Sequence, residues 1–225
     1  MPGDSPKIDV LCEDNHLIAV NKPAGVMTQP SGTGADNLED LTKEYLKQTR
    51  NKPGRVFLHA VHRLDKVVSG VALFACTDKA LSRMNEQMRG HHVSRIYHAV
   101  VTGDLPGPQG TLTHFLRHSR MHSESVREDD PGAKKAALGY RVLSRTGTLT
   151  LVEITLETGR YHQIRAQLSA SGCPVLGDSR YGSREQYQGG GIALHHRRME
   201  FIHPVSKLPM TIEAGYPPLW PLSIP

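Results

Sequence analysis

Val56-Phe57-Leu58-His59-Ala60-Val61-His62-Arg63-Leu64-Asp65, followed by Lys66-Val67-Val68 and Ser69-Gly70-Val71-Ala72-Leu73-Phe74-Ala75, decides how this chain is read. Two apolar β-type runs are joined by a short polar connection, which is the pattern of a strand, a turn and a strand. Such a turn holds a carboxylate, Asp65, at the tip of a rigid scaffold and next to an arginine, Arg63. Taken alone, the stretch reads more commonly as a solvated Asp–Arg pair, because charged turn residues mostly face water.

Upstream, Ile8–Leu11 and Leu17–Val20 flank Glu13-Asp14-Asn15 and read as a hairpin. Lys22-Pro23-Ala24-Gly25 breaks the second strand, since proline removes a donor and glycine permits unusual backbone. Lys22 is a candidate phosphate contact or a structural support for a neighbouring carboxylate. Asp36 or Asn37 caps a helix running to about Gln48, with Leu38, Leu41 and Tyr45 on one face.

Downstream, Thr77-Asp78 caps a second helix that carries Leu81, Met84 and Met88 and stops at Gly90. Val93–Val101 alternates with period two and is expected to be a half-buried strand. Residues 111–135 are irregular. His114, His118 and His122 would align on a helix, but no acidic or cysteine ligand accompanies them, and no metal is expected. Arg117, Arg120, Arg127, Lys134 and Lys135 make this stretch a better RNA-contacting arm, whose phosphate contacts would position RNA without reading its sequence.

Residues 137–144 and 148–157 read as a hairpin turned at Arg145-Thr146-Gly147. A helix is expected from about Tyr161 to Ala170, placing Arg165 on a face shared with Tyr161 and Leu168. An arginine on an otherwise apolar face needs a partner. Gly189-Gly190-Gly191 lacks the strand and helix context of a phosphate-binding loop, so no nucleotide cofactor is expected. Residues 192–202 and 208–214 form a last hairpin, and the Pro-rich tail with Trp220 is expected to pack on the domain surface.

Lys and Arg number 27 against 22 Asp and Glu, a net charge of +5. That moderately basic balance favours an anionic partner, with nucleic acid ahead of a membrane surface. Cys12, Cys76 and Cys173 form no CxxC pair and suggest no disulfide framework, which fits a reducing cytosol. No apolar run reaches the length of a membrane span, and the start lacks the pattern of a signal peptide. The simplest organisation is one α/β (α+β) domain over 8–216 with a mixed, mostly antiparallel sheet flanked by helices. Residues 1–7, expected to fray, and 217–225 are terminal segments.

His62 to Gly70 resembles the HRLDxxTSG signature of the RluA-type family of pseudouridine synthases. Three further stretches resemble that family in the same order. They are Asn21-Lys22-Pro23-Ala24-Gly25 (NKPxG), Thr158 to Arg165 (TGRxHQIR), and Leu194-His195 through Phe201-Ile202-His203-Pro204 (LHxxxxxFxHP). Arg95-Ile96-Tyr97-His98-Ala99 is similar to its KxYxA pattern, Lys134-Lys135-Ala136 to its GKxA, and Cys173 to Gly182 to its GHPIxGDxxYG. The departures are Val67-Val68 in place of a polar residue and threonine, Arg95 for lysine, Ala137 or Leu138 where a threonine is common, and Cys173 for histidine. The valines lose a hydroxyl that could cap the turn.

The resemblance implies a pseudouridine-synthase-like catalytic domain that isomerises uridine in transfer or ribosomal RNA without a cofactor. It implies Asp65 as the catalytic aspartate, Tyr97 as the active-site tyrosine and Arg165 as the active-site arginine. Burial disfavours an ionised carboxylate and an adjacent cation favours it, and that support of Asp65 is the role expected of Arg165. Arg63 would fill the place of the flipped uridine or contact a phosphate. Ile164 and Leu168 would wall the pocket, and His62, Lys22, Lys134 and Lys135 would contact substrate. A cytoplasmic monomer is expected, with no separate RNA-binding domain ahead of residue 8. The rival readings are a catalytically silent RNA-binding protein of the same fold, and an Asp/His hydrolase using His62 or His162 as general base.

Overall fold

The computed structural model describes residues 8–32, 34–51 and 53–222, so the frayed start expected for 1–7 lies outside the described residues. One carboxylate sets the first turn. Asp14 Oδ1 accepts the backbone N–H groups of His16 at 2.6 Å and Leu17 at 2.8 Å, mimicking a backbone turn as Asp side chains do. The turn joins β1 (Asp9–Glu13) to β2 (Leu17–Lys22) as an antiparallel pair. β2 therefore runs on through Lys22 instead of breaking before it.

The chain forms two compact units. The first comprises the residues up to Ser94 together with His196–Tyr216. The second comprises Arg95–His195 and the residues from Pro217 onward. In the first unit, α1 (Leu38–Thr49) is capped by Asn37, whose side chain accepts from Asp40 N–H. β3 (His59–Ala60) and β4 (Ser69–Ala75) are an antiparallel pair, and β2 pairs antiparallel with the other edge of β4. α2 (Asp78–Arg89) is capped by Thr77 and ends at Gly90, as its sequence requires.

Every residue of β4 is buried, and its period of two divides the apolar interior. Val71, Leu73 and Ala75 join Leu17 and Ala19 of β2 and Ala80 and Met84 of α2 in one cluster. Ala72 and Phe74 join Ile18, Val20 and the α1 residues Leu38 and Leu46 in another. The sheet thus carries one helix on each face. A strand covered on both faces reads as a continuous apolar run, which is why 71–75 shows no alternation.

The second unit contains most of β5 (Ser94–Thr102), then β6 (Gln109–Ser119), β7 (His122–Val126), β8 (Lys134–Thr146) and β9 (Leu149–Leu156), in the order β5-β9-β8-β6-β7 and antiparallel throughout. α3 (Gln163–Ala170) and a 3-10 turn (Ser179–Tyr181) follow. β10 (Leu194–Ile202) carries the chain back into the first unit and pairs antiparallel with β11 (Pro209–Glu213).

Several expectations change here. The strand expected over 56–61 is the short β3, beyond which Val61 N–H still bonds Leu73 O of β4 at 2.9 Å; Leu58, just ahead of it, is buried without belonging to the strand. β5 is buried from Ile96 to Val101 on both faces, not one. Residues 111–135 are mostly the ordered hairpin β6–β7 and the start of β8, so the three histidines do not share a helix face. Among the described residues no cluster of His, Cys, Asp and Glu is arranged to hold a metal. α3 starts at Gln163, not Tyr161, because His162 turns the backbone left-handed with φ 50°. Within the second unit, the Trp220 ring contacts those of His195 and Tyr187, with centroids 5.8 and 6.4 Å away.

Gly70, the second residue of β4, sits at φ 110°, and a Cβ there would collide with the backbone of His196. Both the conformation and the space exclude a side chain. Gly70→Ala is expected to lower the unfolding free energy by more than about 2 kcal/mol, read from urea titration. A loss under about 0.5 kcal/mol would mean that the strand shifts to admit the methyl group.

Candidate active site

In the first unit the His62-Arg63-Leu64-Asp65 segment leaves β3 and is fastened along its backbone. Thr28 Oγ1 accepts Leu64 N–H at 3.1 Å and donates to Leu64 O at 3.0 Å, so one hydroxyl satisfies both polar groups of that residue. Val68 N–H closes a turn onto Asp65 O at 3.0 Å. A backbone bond thus does what a threonine hydroxyl was expected to do, and Val68 is free to be buried. Gly25 N–H reaches Lys66 O at 2.7 Å. The result is a half-buried Asp65 between exposed Arg63 and Lys66 on a turn pinned from both sides.

Lys22 supplies the remaining clamp. Its side chain has no exposed surface. Nζ donates to Pro23 O at 3.0 Å, Val26 O at 2.6 Å and Lys66 O at 3.2 Å. Burial pulls the lysine down to about 7 while the nearby Asp65 carboxylate pulls it up. Three acceptors call for three N–H donors, which only the ammonium form provides. Lys22 is therefore corrected from a substrate contact to the support of the Asp65 turn, because a buried ammonium spent on carbonyls does not face a phosphate.

His62 is half-buried. Its Nε2 accepts Leu73 N–H at 3.3 Å, and its ring stands edge-on to that of His196, with centroids 5.2 Å apart. A ring nitrogen occupied by a backbone donor is poorly placed to be the general base of a hydrolase.

In the second unit, the segment Thr158 to Arg165 is explained residue by residue. Thr158 Oγ1 accepts Ala137 N–H at 3.0 Å and donates to Gln163 Oε1 at 2.7 Å. Gln163 Nε2 donates to Ala137 O at 3.0 Å, and its Oε1 also accepts Arg160 N–H at 2.9 Å. These bonds lock the start of α3 to β8. His162 Nδ1 lies 2.9 Å from Tyr181 Oη, which also accepts Ser123 N–H at 2.8 Å, so His162 too is committed within its unit.

The partner that Arg165 requires on its helix face includes Asp178. Nε donates to Oδ2 at 2.7 Å and Nη2 to Oδ1 at 2.9 Å, a bidentate pair with side chains only 5% and 2% exposed. The Tyr181 ring lies against the guanidinium, 4.8 Å from its carbon to the centroid. Neither Asp178 nor Thr28 was assigned a function from sequence. The only available signal for Asp178 was its place in the Gly177-Asp178 stretch, and Thr28 had none.

Tyr97 is buried on β5 opposite Ile154 of β9. Ile164 keeps a little surface, but Leu168 keeps none. Leu168 is corrected to a core residue, since a side chain without surface cannot wall a pocket. Lys134 and Lys135 are exposed at the start of β8. Arg117 is paired with Glu124 at 2.8 Å and Arg127 approaches Asp129 at 3.6 Å, so these cations are partly neutralised.

Thr28→Val removes the hydroxyl and leaves a buried N–H and C=O at Leu64. It is expected to cost about 2–4 kcal/mol in chemical denaturation. Lys22→Met is expected to cost roughly 3 kcal/mol at neutral pH. Because burial lowers the folded-state value to about 7, the unfolded chain binds more protons above that pH. Wild type should therefore gain stability relative to Lys22→Met from pH 7 toward pH 10.5, where an unfolded lysine titrates. A flat difference across that window would mean that the carbonyl cage outweighs burial.

Residues 16–170 match the family model of the RNA pseudouridylate synthases. YhcT of Bacillus subtilis, an uncharacterised RNA pseudouridine synthase, is 33% identical over 213 residues, covering 94% of this chain and 69% of that protein. The ribosomal large subunit pseudouridine synthase D of Xanthomonas campestris is 34% identical over 229 residues, with coverage of 96% and 68%. The tRNA pseudouridine synthase C of Vibrio cholerae is 27% identical over 232 residues, with coverage of 95% and 93%. Among solved structures, human RNA pseudouridylate synthase domain containing 4 shares the fold, with a TM-score of 0.79 at 23% identity over 94% of this chain and 90% of that one. The pinned HRLD turn and the locked HQIR helix are thus carried by a chain that belongs to the RNA pseudouridylate synthase family, enzymes of the isomerase class.

Proposed function

We propose that this chain converts specific uridines to pseudouridine in structured ribosomal or transfer RNA, with residues 8–216 acting as one catalytic domain and Asp65 as the acting carboxylate. The observation that carries this reading is the Asp65 turn. A solvated surface pair would not need a buried ammonium, a threonine and two backbone bonds to hold its backbone still. Relatives named for ribosomal RNA and for transfer RNA support both substrate classes.

The reaction breaks the glycosidic carbon–nitrogen bond, turns the uracil, and forms a carbon–carbon bond to its 5 position. The proton at that position is lost, and the ring nitrogen that left the sugar gains one. Atoms and oxidation state are conserved, so no redox or group-carrying cofactor is called for. A carboxylate can act as nucleophile or as electrostatic stabiliser in the breaking step. Asp65 takes that role, Tyr97 assists proton loss from the 5 position, and Arg165 is the fixed cation of the reaction. These assignments rest on the motif matches.

The target base must leave its stack, at a cost of a few kcal/mol. The exposed Arg63, two residues before Asp65, suits the vacated place. His62 and Ile164 complete the substrate contacts, and the exposed Lys134 and Lys135 suit phosphates, which position RNA without reading it. Among the described residues no helix is long and apolar enough to cross a membrane, and a cytoplasmic monomer is the state proposed.

The test is tritium release from RNA labelled at the uracil 5 position, using bulk ribosomal and transfer RNA. Wild type should release tritium and Asp65→Ala should not. Equal release by both would overturn the assignment. Arg63→Ala should lower turnover while leaving the salt dependence of RNA binding unchanged. A fall in the salt slope of about one unit would instead make Arg63 a phosphate contact.

A further inference from the structure

The Arg165–Asp178 pair is a buried ion pair in the second unit for which the roles above give only half a reason. We infer that Asp178 is a positioning residue for the isomerisation, fixing the guanidinium of Arg165 in the orientation the reaction uses. The inference rests on the reading of Arg165 as the reaction's cation.

The geometry is that of a clamp. The carboxylate takes the Nε and Nη2 edge of the guanidinium with both oxygens, at 2.7 and 2.9 Å. A planar fork held at two points cannot rotate about its own axis, unlike a lysine ammonium held at one. Tyr181 packs against the same guanidinium. That ring is itself anchored through its hydroxyl to Ser123 N–H and the His162 ring. In-plane rotation and tilt are therefore restrained by separate contacts.

The clamp has a stiff base. Asp178 N–H bonds Val175 O at 3.0 Å, and Asp178 O accepts the N–H groups of Tyr181 and Ser183, each at 3.0 Å. Gly177 before it sits at φ 84°, where a Cβ would press on Tyr187 at 2.7 Å. A glycine is needed to deliver the carboxylate at this angle. This is the physical content of the Gly177-Asp178 to Tyr181-Gly182 stretch.

Stability alone is a weak reason for such a pair. Taking both ions out of water costs several kcal/mol each, and apolar replacements of buried pairs are often neutral or stabilising. A guanidinium already paired with a carboxylate also exerts little net field at a distance. What it offers reacting atoms is directed N–H donors, and their value depends on aim.

The experiment measures kcat and KM by tritium release for wild type, Arg165→Lys, Asp178→Asn and the double variant. The temperature is one at which thermal unfolding shows all four folded. Asp178→Asn should lower kcat by about 10–100-fold, with KM changed less than about 3-fold. In the Arg165→Lys background the same change should alter kcat less than about 3-fold, because the group it aims is already gone. Equal losses in both backgrounds, or a loss that follows the unfolded fraction, would make Asp178 merely structural and overturn the inference. Should Asp178→Asn fail to fold, Asp178→Glu keeps the charge and displaces it by a methylene, with the same expectations. An unimpaired Arg165→Lys would sink the reading of Arg165 itself. An impaired Arg165→Lys beside an unimpaired Asp178→Asn would sink the positioning role alone.

Discussion

A lysine ammonium with no contact to water is the constraint on which the Asp65 turn depends. Lys22 ends β2, and its Nζ gathers carbonyls from its own loop and from Lys66, the residue after Asp65. Removing a charge from water is expensive unless it is fully bonded, so the loop around Lys22 has little choice of shape. Gly25 and Thr28, from the same loop, then reach Lys66 and Leu64. One buried cation thus converts a stretch without regular secondary structure into a rigid mount for a carboxylate.

The second unit solves a similar problem with the signs exchanged. There the buried carboxylate of Asp178 organises an arginine, and Gln163 and Thr158 fasten the helix that carries it to β8. Each unit therefore spends buried polar groups on holding a charged side chain of opposite kind. Such satisfied networks specify one arrangement because partial satisfaction is so costly.

What could be read from sequence follows the range of the forces involved. The cap of α2 was legible to the residue and that of α1 to within one, between Asp36 and Asn37, because Asn37 and Thr77 bond N–H groups of their own first turns. The β6–β7 hairpin was not, because its histidines, arginines and serines show no apolar period and its pairing crosses to β8. Asp65, Tyr97 and Arg165 were found only through resemblance, since composition and spacing fit a solvated pair and two core positions equally well. Neither Thr28 nor Asp178 was given a role, because the groups they bond, Leu64 and Arg165, lie 36 and 13 residues away in the chain. Lys22 was left between two roles, and only its burial separates them.

The chain leaves the first unit after Ser94 and returns at His196. On the ribosome this imposes an order. The second unit is nearly continuous, and its β8–β9 and β6–β7 pairings are sequence neighbours that close small loops. The first unit holds β1 to α2 early but lacks Met199, Phe201 and Ile212 of its apolar cluster until β10 and β11 emerge. Closing that long loop carries an entropy cost that local hairpins escape. The turn bearing Asp65 is therefore made before the second unit, while the unit that shelters it is completed only after the second unit has emerged.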